Sequence, residues 1–111
     1  MPAVFELKKN TEDLFYFHLV DGKGELIMMS GDYPEKDGAV KAIQDVRVGS
    51  LMSNQIAASK IPDGDAFFVI KDSMGQILAK SVLFSSTMLF DNALHTVKDN
   101  ACIAEINDMT A

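Results

Sequence analysis

The order of apolar and polar positions changes period along the chain, and each change marks a boundary between elements. From residue 15 the pattern alternates: Phe17 and Leu19 fall on one side, Tyr16 and His18 on the other. Such alternation predicts a strand with one face in a core. Asp-Gly-Lys-Gly at 21–24 then predicts a hairpin turn, because glycine tolerates positive φ. Leu26 and Met28 are expected to return on the same side as Phe17 and Leu19. Further on the period becomes 3.6. Ala39, Ala42, Ile43 and Val46 stand at i, i+3, i+4 and i+7, one side of a helix. Pro34 suits the first turn of that helix.

The whole succession then recurs. Sliding the sequence by 51 residues aligns 15–50 with 66–101 without a gap, and six of the 36 pairs are identical. These are Phe17/Phe68, Asp21/Asp72, Gly24/Gly75, Ser30/Ser81, Ala42/Ala93 and Val46/Val97. Ordinary composition gives about two by chance. The pattern recurs with the identities: Phe68 and Ile70 are expected to face inward with Ile77 and Ala79, across Asp-Ser-Met-Gly at 72–75. Phe90, Ala93, Leu94 and Val97 repeat the helical stripe, with Ser85 or Ser86 as its N-cap. Further strands are expected from Val4 to Lys8 and from Ile56 to Ser59, with short closing strands near 47–52 and 102–106.

The expected fold is therefore α+β: two tandem β-β-β-α(-β) repeats forming one antiparallel sheet, with both helices on one face. A unit of about 50 residues buries little alone, whereas two can share a sheet and cover it with both helices. The organisation expected is a single domain over 1–111 made of repeats at about 3–52 and 53–108. Pro62-Asp63-Gly64-Asp65 is the turn expected at the junction.

From Phe15, the residues Phe17, Leu19, Gly24-Glu25, Ile27, Ser30, Tyr33, Lys36, Gly38-Ala39, Ile43, Val46 and Ser50 form a spaced pattern that resembles the YegP-like family, also called DUF1508 or UPF0339. Ser81, Ser85-Ser86, Asp91-Asn92 and Val97 resemble that family's second repeat. The resemblance spans nearly the whole chain. It implies a β-β-β-α-β unit, present as tandem copies or as two subunits, with closing strands exchanged. The chain departs from the family pattern at Ala42-Ile43 and Ala93-Leu94, where Gly-Ile is usual, and at Phe84 and Leu89-Phe90, which stand in place of Tyr and of smaller or more polar residues. The family has no established function and supplies no catalytic residues to carry over.

Composition narrows the function classes. The net charge of −6 argues against a sequence-independent grip on nucleic acid or anionic lipid, since both need clustered positive charge. Nucleic acid is thus the least favoured partner. Cys102 is the single cysteine, which excludes an intrachain disulfide and a cysteine-based zinc cluster. No apolar run approaches the ~20 residues of a membrane helix, and the opening MPAVFELKKN lacks a signal-peptide pattern. The expectation is a cytoplasmic protein that does not engage a membrane.

Candidate chemistry is sparse. His18 and His95 are not equivalent under the 51-residue shift and have no HxH or HExxH spacing, so neither is read as a base or metal ligand. Cys102 is read as a small hydrophobe in a short buried strand. Asp63, Asp65, Asp72, Glu35 and Asp37 are read as solvated turn residues, because the full calcium-loop pattern is missing. Gly22-x-Gly24 lacks the third glycine and following helix of a dinucleotide fingerprint. No catalytic residue, metal or cofactor is expected. What remains is a surface. If Phe17 and Leu19 face the helices, the opposite sheet face carries Tyr16, His18, Ile27, Met29, Phe67, Val69 and Leu78. An apolar patch on a face usually left wet marks an interface. The expected function is a non-catalytic binding or protein-interaction module, engaging an unknown partner or a second copy. The alternative is a small-molecule binder or small enzyme with a site in the groove between the repeats.

Overall fold

The computed structural model describes residues 3–110. In chain order these form β1 (Val4–Lys9), β2 (Phe15–Val20), β3 (Leu26–Ser30), α1 (Lys36–Gly49), β4 (Ile56–Lys60), β5 (Ala66–Lys71), β6 (Ile77–Ser81), α2 (Thr87–Asn100) and β7 (Glu105–Asp108). Short 3-10 turns at Ser53–Gln55 and Ala101–Ile103 follow the two helices. The strands make one seven-stranded sheet in the order β4-β5-β6-β3-β2-β1-β7. All neighbours are antiparallel except β1 and β7, which run parallel with Val4 opposite Glu105. The sheet is thus mixed rather than wholly antiparallel. A strand that follows a helix has crossed the layer before it pairs, and it enters beside β1 in the same direction.

The hairpin turns follow from their sequences. Asp21 accepts hydrogen bonds at its side chain from the N–H groups of Lys23 and Glu25, at 2.8 and 2.9 Å. Gly24 closes the turn at φ +82°, where a side chain is strained. Asp72 does the same for Met74 and Gln76, at 2.8 and 2.9 Å. Short carboxylates favour such turns because they replace a backbone acceptor locally.

Each hairpin also contains a bulge that the alternation of residue types does not reveal. Leu19 pairs with Met28, but Val20 pairs with Leu26, so Ile27 is the extra residue. Ile70 pairs with Ala79 and Lys71 with Ile77, so Leu78 is extra. An inserted residue resets the alternation. Ile27 and Leu78 consequently join the buried core, while Ile77 is exposed. Leu26, expected inward, sits opposite Val20.

Both helices cover the face that carries Phe5, Leu7, Phe17, Leu19, Met28, Phe68 and Ile70. Ala39, Ala42, Ile43 and Val46 of α1 are buried there, as the 3.6 period requires. On α2 only Val97 is fully buried, with Phe90, Ala93 and Leu94 packed partly against the core. Ser86 caps α2, its hydroxyl accepting from the Leu89 N–H at 3.2 Å. Pro34 precedes α1, whose N-cap is Glu35. The closing strand expected near 47–52 does not form, because α1 runs through to Gly49 and the chain then turns into β4. Cys102 lies in a 3-10 turn and is half-buried rather than in a strand.

Two glycines of α1 predict opposite outcomes. A Cβ on Gly49 would stand 2.9 Å from Ile70 Cγ2 and 3.2 Å from the Lys71 carbonyl oxygen. Gly49→Ala should therefore lower stability by about 1–3 kcal/mol. A Cβ on Gly38 would meet only the Tyr33 side chain, at 3.6 Å. Gly38→Ala should raise stability by about 0.5–1 kcal/mol, the usual gain on replacing a helical glycine. Urea midpoints of the two variants, moving in opposite directions from wild type, check this.

Candidate interaction surface

The face away from the helices has no covering helix among the described residues. On β2, Tyr16 and His18 stand together with ring centroids 5.2 Å apart. His18 lies opposite Glu6 on β1 and Met29 on β3. Met29 is 38% exposed. Burial against the sheet, then the nearby Lys8 cation, lowers the His18 pKa, and Glu6 partly opposes them. Glu6 and Lys8 pair at 3.5 Å. On the second half, Lys80 lies between Met29 and Val69 in the strand order. Its ammonium sits 4.7 Å from the Phe67 ring centroid, a cation–π contact.

Of the residues expected on this face, Tyr16, His18, Met29 and Phe67 offer accessible surface. Val69 stands between Ala57 and Lys80 and is buried. Ile27 and Leu78 are 4% and 7% exposed and belong to the core through their bulges. The accessible face is therefore aromatic and charged rather than a continuous apolar patch. Lys80, absent from the alternating pattern of apolar residues, is the addition. Its place between Met29 and Val69 depends on the β3–β6 pairing, which no local sequence signal specifies.

The other candidates are dispersed. His95 is exposed and pairs with Asp99 at 2.8 Å, one turn along α2. Asp72 serves its turn. Among the described residues, no three His, Cys, Asp or Glu side chains converge as metal ligands. Two shallow clefts lie where the hairpin turn of one half meets the helix of the other. One, of about 220 Å³, brings Asp72 and Ser73 to Lys41 and Asp45. The other, of about 310 Å³, brings Asp21 and Lys23 to Thr96 and Asn100. A larger cleft of about 390 Å³ runs between the β4 edge and the start of α2, with Phe84 and Phe90 in its wall.

The fold has counterparts in known proteins. A UPF0339 protein of Shewanella oneidensis is 33% identical over 99% of this chain and 100% of its own. The chain belongs to the UPF0339 family. Other UPF0339 proteins include one from Pseudomonas aeruginosa, 32% identical over 97% of this chain and 98% of its own. YegP of Escherichia coli K12 is 29% identical over 99% of this chain and all of its own. The solution NMR structure of the Shewanella UPF0339 protein superposes with a TM-score of 0.94, covering 99% of this chain and 93% of that one. That of E. coli YegP, described as a protein of unknown function, gives 0.91 at 29% identity, covering 100% of this chain and 96% of that one. No family model matches the chain. UPF0339 relatives thus share the α+β architecture and carry no established catalytic or binding role.

Proposed function

We propose that the chain is a non-catalytic interaction module, a single domain of two related units at about 3–52 and 53–108. Its uncovered sheet face meets a protein partner, in the simplest case a second copy. The observation that carries this reading is the one-sided placement of the helices, which leaves Tyr16, His18, Met29 and Phe67 accessible. Aromatic side chains and methionine suit such a role because they bury much area with few polar demands. The charged neighbours Glu6 and Lys8 on β1 fit a polar rim, and Lys80, between Met29 and Val69, lies over the Phe67 ring within the face. A cytoplasmic setting without nucleic-acid or membrane engagement accompanies this reading. No helix of the described residues is long and apolar enough to cross a membrane.

Sedimentation velocity over a wide concentration range tests it. Reversible association of the wild type should disappear in the double variant Met29→Lys, Phe67→Lys, with circular dichroism and melting little changed. Association that survives both substitutions, or a wild type whose mass is monomeric throughout, removes self-association through this face.

A further inference from the structure

Two places for a closing strand exist in this fold, and the chain fills one. Beside β1, β7 runs parallel, and the Met109 N–H donates to the Leu7 carbonyl at 2.8 Å. Ile106 packs against the core, and Lys36 at the start of α1 pairs with Asp108. Shifted by 51 residues, Leu7 becomes Ala58 on β4 and Lys36 becomes Thr87 at the start of α2. Both line the cleft of about 390 Å³. The residues that follow α1 do not fill it, because they continue directly into β4 itself. Among the described residues β4 is thus an edge strand whose outer side is unpaired.

Backbone directions agree in the two halves. The Phe68 N–H points away from β4, donating to the Ser81 hydroxyl. Its partner Ala58 therefore turns its own N–H and carbonyl outward, as Leu7 does towards Met109. Where Leu7 is buried, Ala58 is exposed. The chain around the cleft residues has changed chemistry as well. Leu83, Met88 and Leu89, next in sequence to the lining residues Phe84, Thr87 and Phe90, are 49%, 71% and 52% exposed, and their counterparts are Asp32, Asp37 and Gly38. Native proteins usually blunt an open edge with charge, proline or a covering segment, and here Lys60 at the end of β4 is the one charged side chain on that strand.

We propose that β4 and this cleft accept an extended segment of another polypeptide as an eighth, parallel strand. The segment presents an apolar side chain towards Phe84 and Phe90, at the position that Ile106 holds beside β1. Backbone hydrogen bonds to Ala58 supply the pairing, and the aromatic wall selects the side chain. An acid in the place of Asp108 is disfavoured, because Thr87 replaces Lys36 and Asp91 replaces Val40. The segment therefore carries no acid there. This site lies on the helix side of the β4 edge, whereas Met29 and Phe67, the latter paired with Ser59, lie on the opposite face of the sheet, so the two surfaces are separable by mutation.

The test titrates the ¹⁵N-labelled full chain with a synthetic peptide of residues 103–110 carrying Asp108→Asn. Saturable amide shifts are expected over 56–60 and 84–91, with nuclear Overhauser contacts from the peptide isoleucine to Phe84 and Phe90. The same peptide with Ile106→Asp should not bind. Ala58→Pro removes the outward N–H at a position where an edge strand tolerates proline, and should weaken binding about tenfold or more. Ala58→Lys, on an exposed side chain, serves if the proline variant unfolds. Four results overturn the proposal: no saturable shift, shifts centred on β1 and β7, binding indifferent to both substitutions, or edge shifts that follow protein concentration without peptide, which would make the occupant a second copy.

Discussion

Phe68→Ala should lower stability by about 3–5 kcal/mol, the range for removing a fully buried aromatic ring. Phe68 has no exposed surface. Its ring stacks on Phe84 at 6.2 Å between centroids and meets Phe90 edge-on at 5.8 Å. Phe84 and Phe90 themselves pack edge-on at 6.1 Å. Truncation therefore leaves a cavity and two rings without their common neighbour. α2 has little else to replace the contact, since Val97 is its one fully buried side chain. At about 4 °C per kcal/mol for a chain of this size, the melting temperature should fall by roughly 12–20 °C. Calorimetry measures this directly. A loss below about 1 kcal/mol would mean that the second half does not depend on this cluster.

Ser81→Ala should cost about 1–3 kcal/mol although it removes a single oxygen. The Ser81 hydroxyl accepts from the Phe68 N–H at 2.9 Å and donates to the Val82 carbonyl at 2.9 Å. It stands in for a ladder carbonyl where β6 diverges from β5, and the site is buried. Alanine leaves the Phe68 N–H without an acceptor in a place that water reaches poorly. Ser30 makes the same pair of bonds, to the Phe17 N–H at 2.9 Å and the Gly31 carbonyl at 2.8 Å, but is more accessible. Ser30→Ala should cost less, because water replaces the lost oxygen. Urea unfolding ranks the two. Amide exchange should accelerate locally at Phe68 in one variant and at Phe17 in the other. Equal costs would refute the burial argument.

These residues show what the sequence makes legible. Each of the six identities at the 51-residue interval occupies a position with a definable task. Phe17 and Phe68 fill the core, Asp21 and Asp72 cap the turns, and Gly24 and Gly75 take positive φ. Ser30 and Ser81 bridge the diverging strands, while Ala42, Ala93, Val46 and Val97 face the sheet from the helices. Local chemistry of this kind is readable because each residue type has a short-range reason. The bulges at Ile27 and Leu78 are not, because an extra residue leaves the composition of an alternating run unchanged while reversing its faces. For the same reason the residues expected on one face divide: Tyr16, His18, Met29 and Phe67 keep accessible surface, while Ile27 and Leu78 turn into the core and Val69 is buried between its neighbours. The parallel closing strand depends on partners a hundred residues apart, and the bare edge of β4 shows only when the two halves are compared in space.

That distance has a consequence in time. β1 is made first, but the N–H that satisfies its Leu7 carbonyl belongs to Met109. At roughly 5–20 residues per second of synthesis, about 5–20 s separate the two. Through that interval the nascent sheet exposes an unpaired strand at β1 until β7 arrives. Anything that recruits β-strands can compete for it then, so slowing translation between α2 and β7 should increase misassembly of a chain whose finished form pairs β1 on both sides.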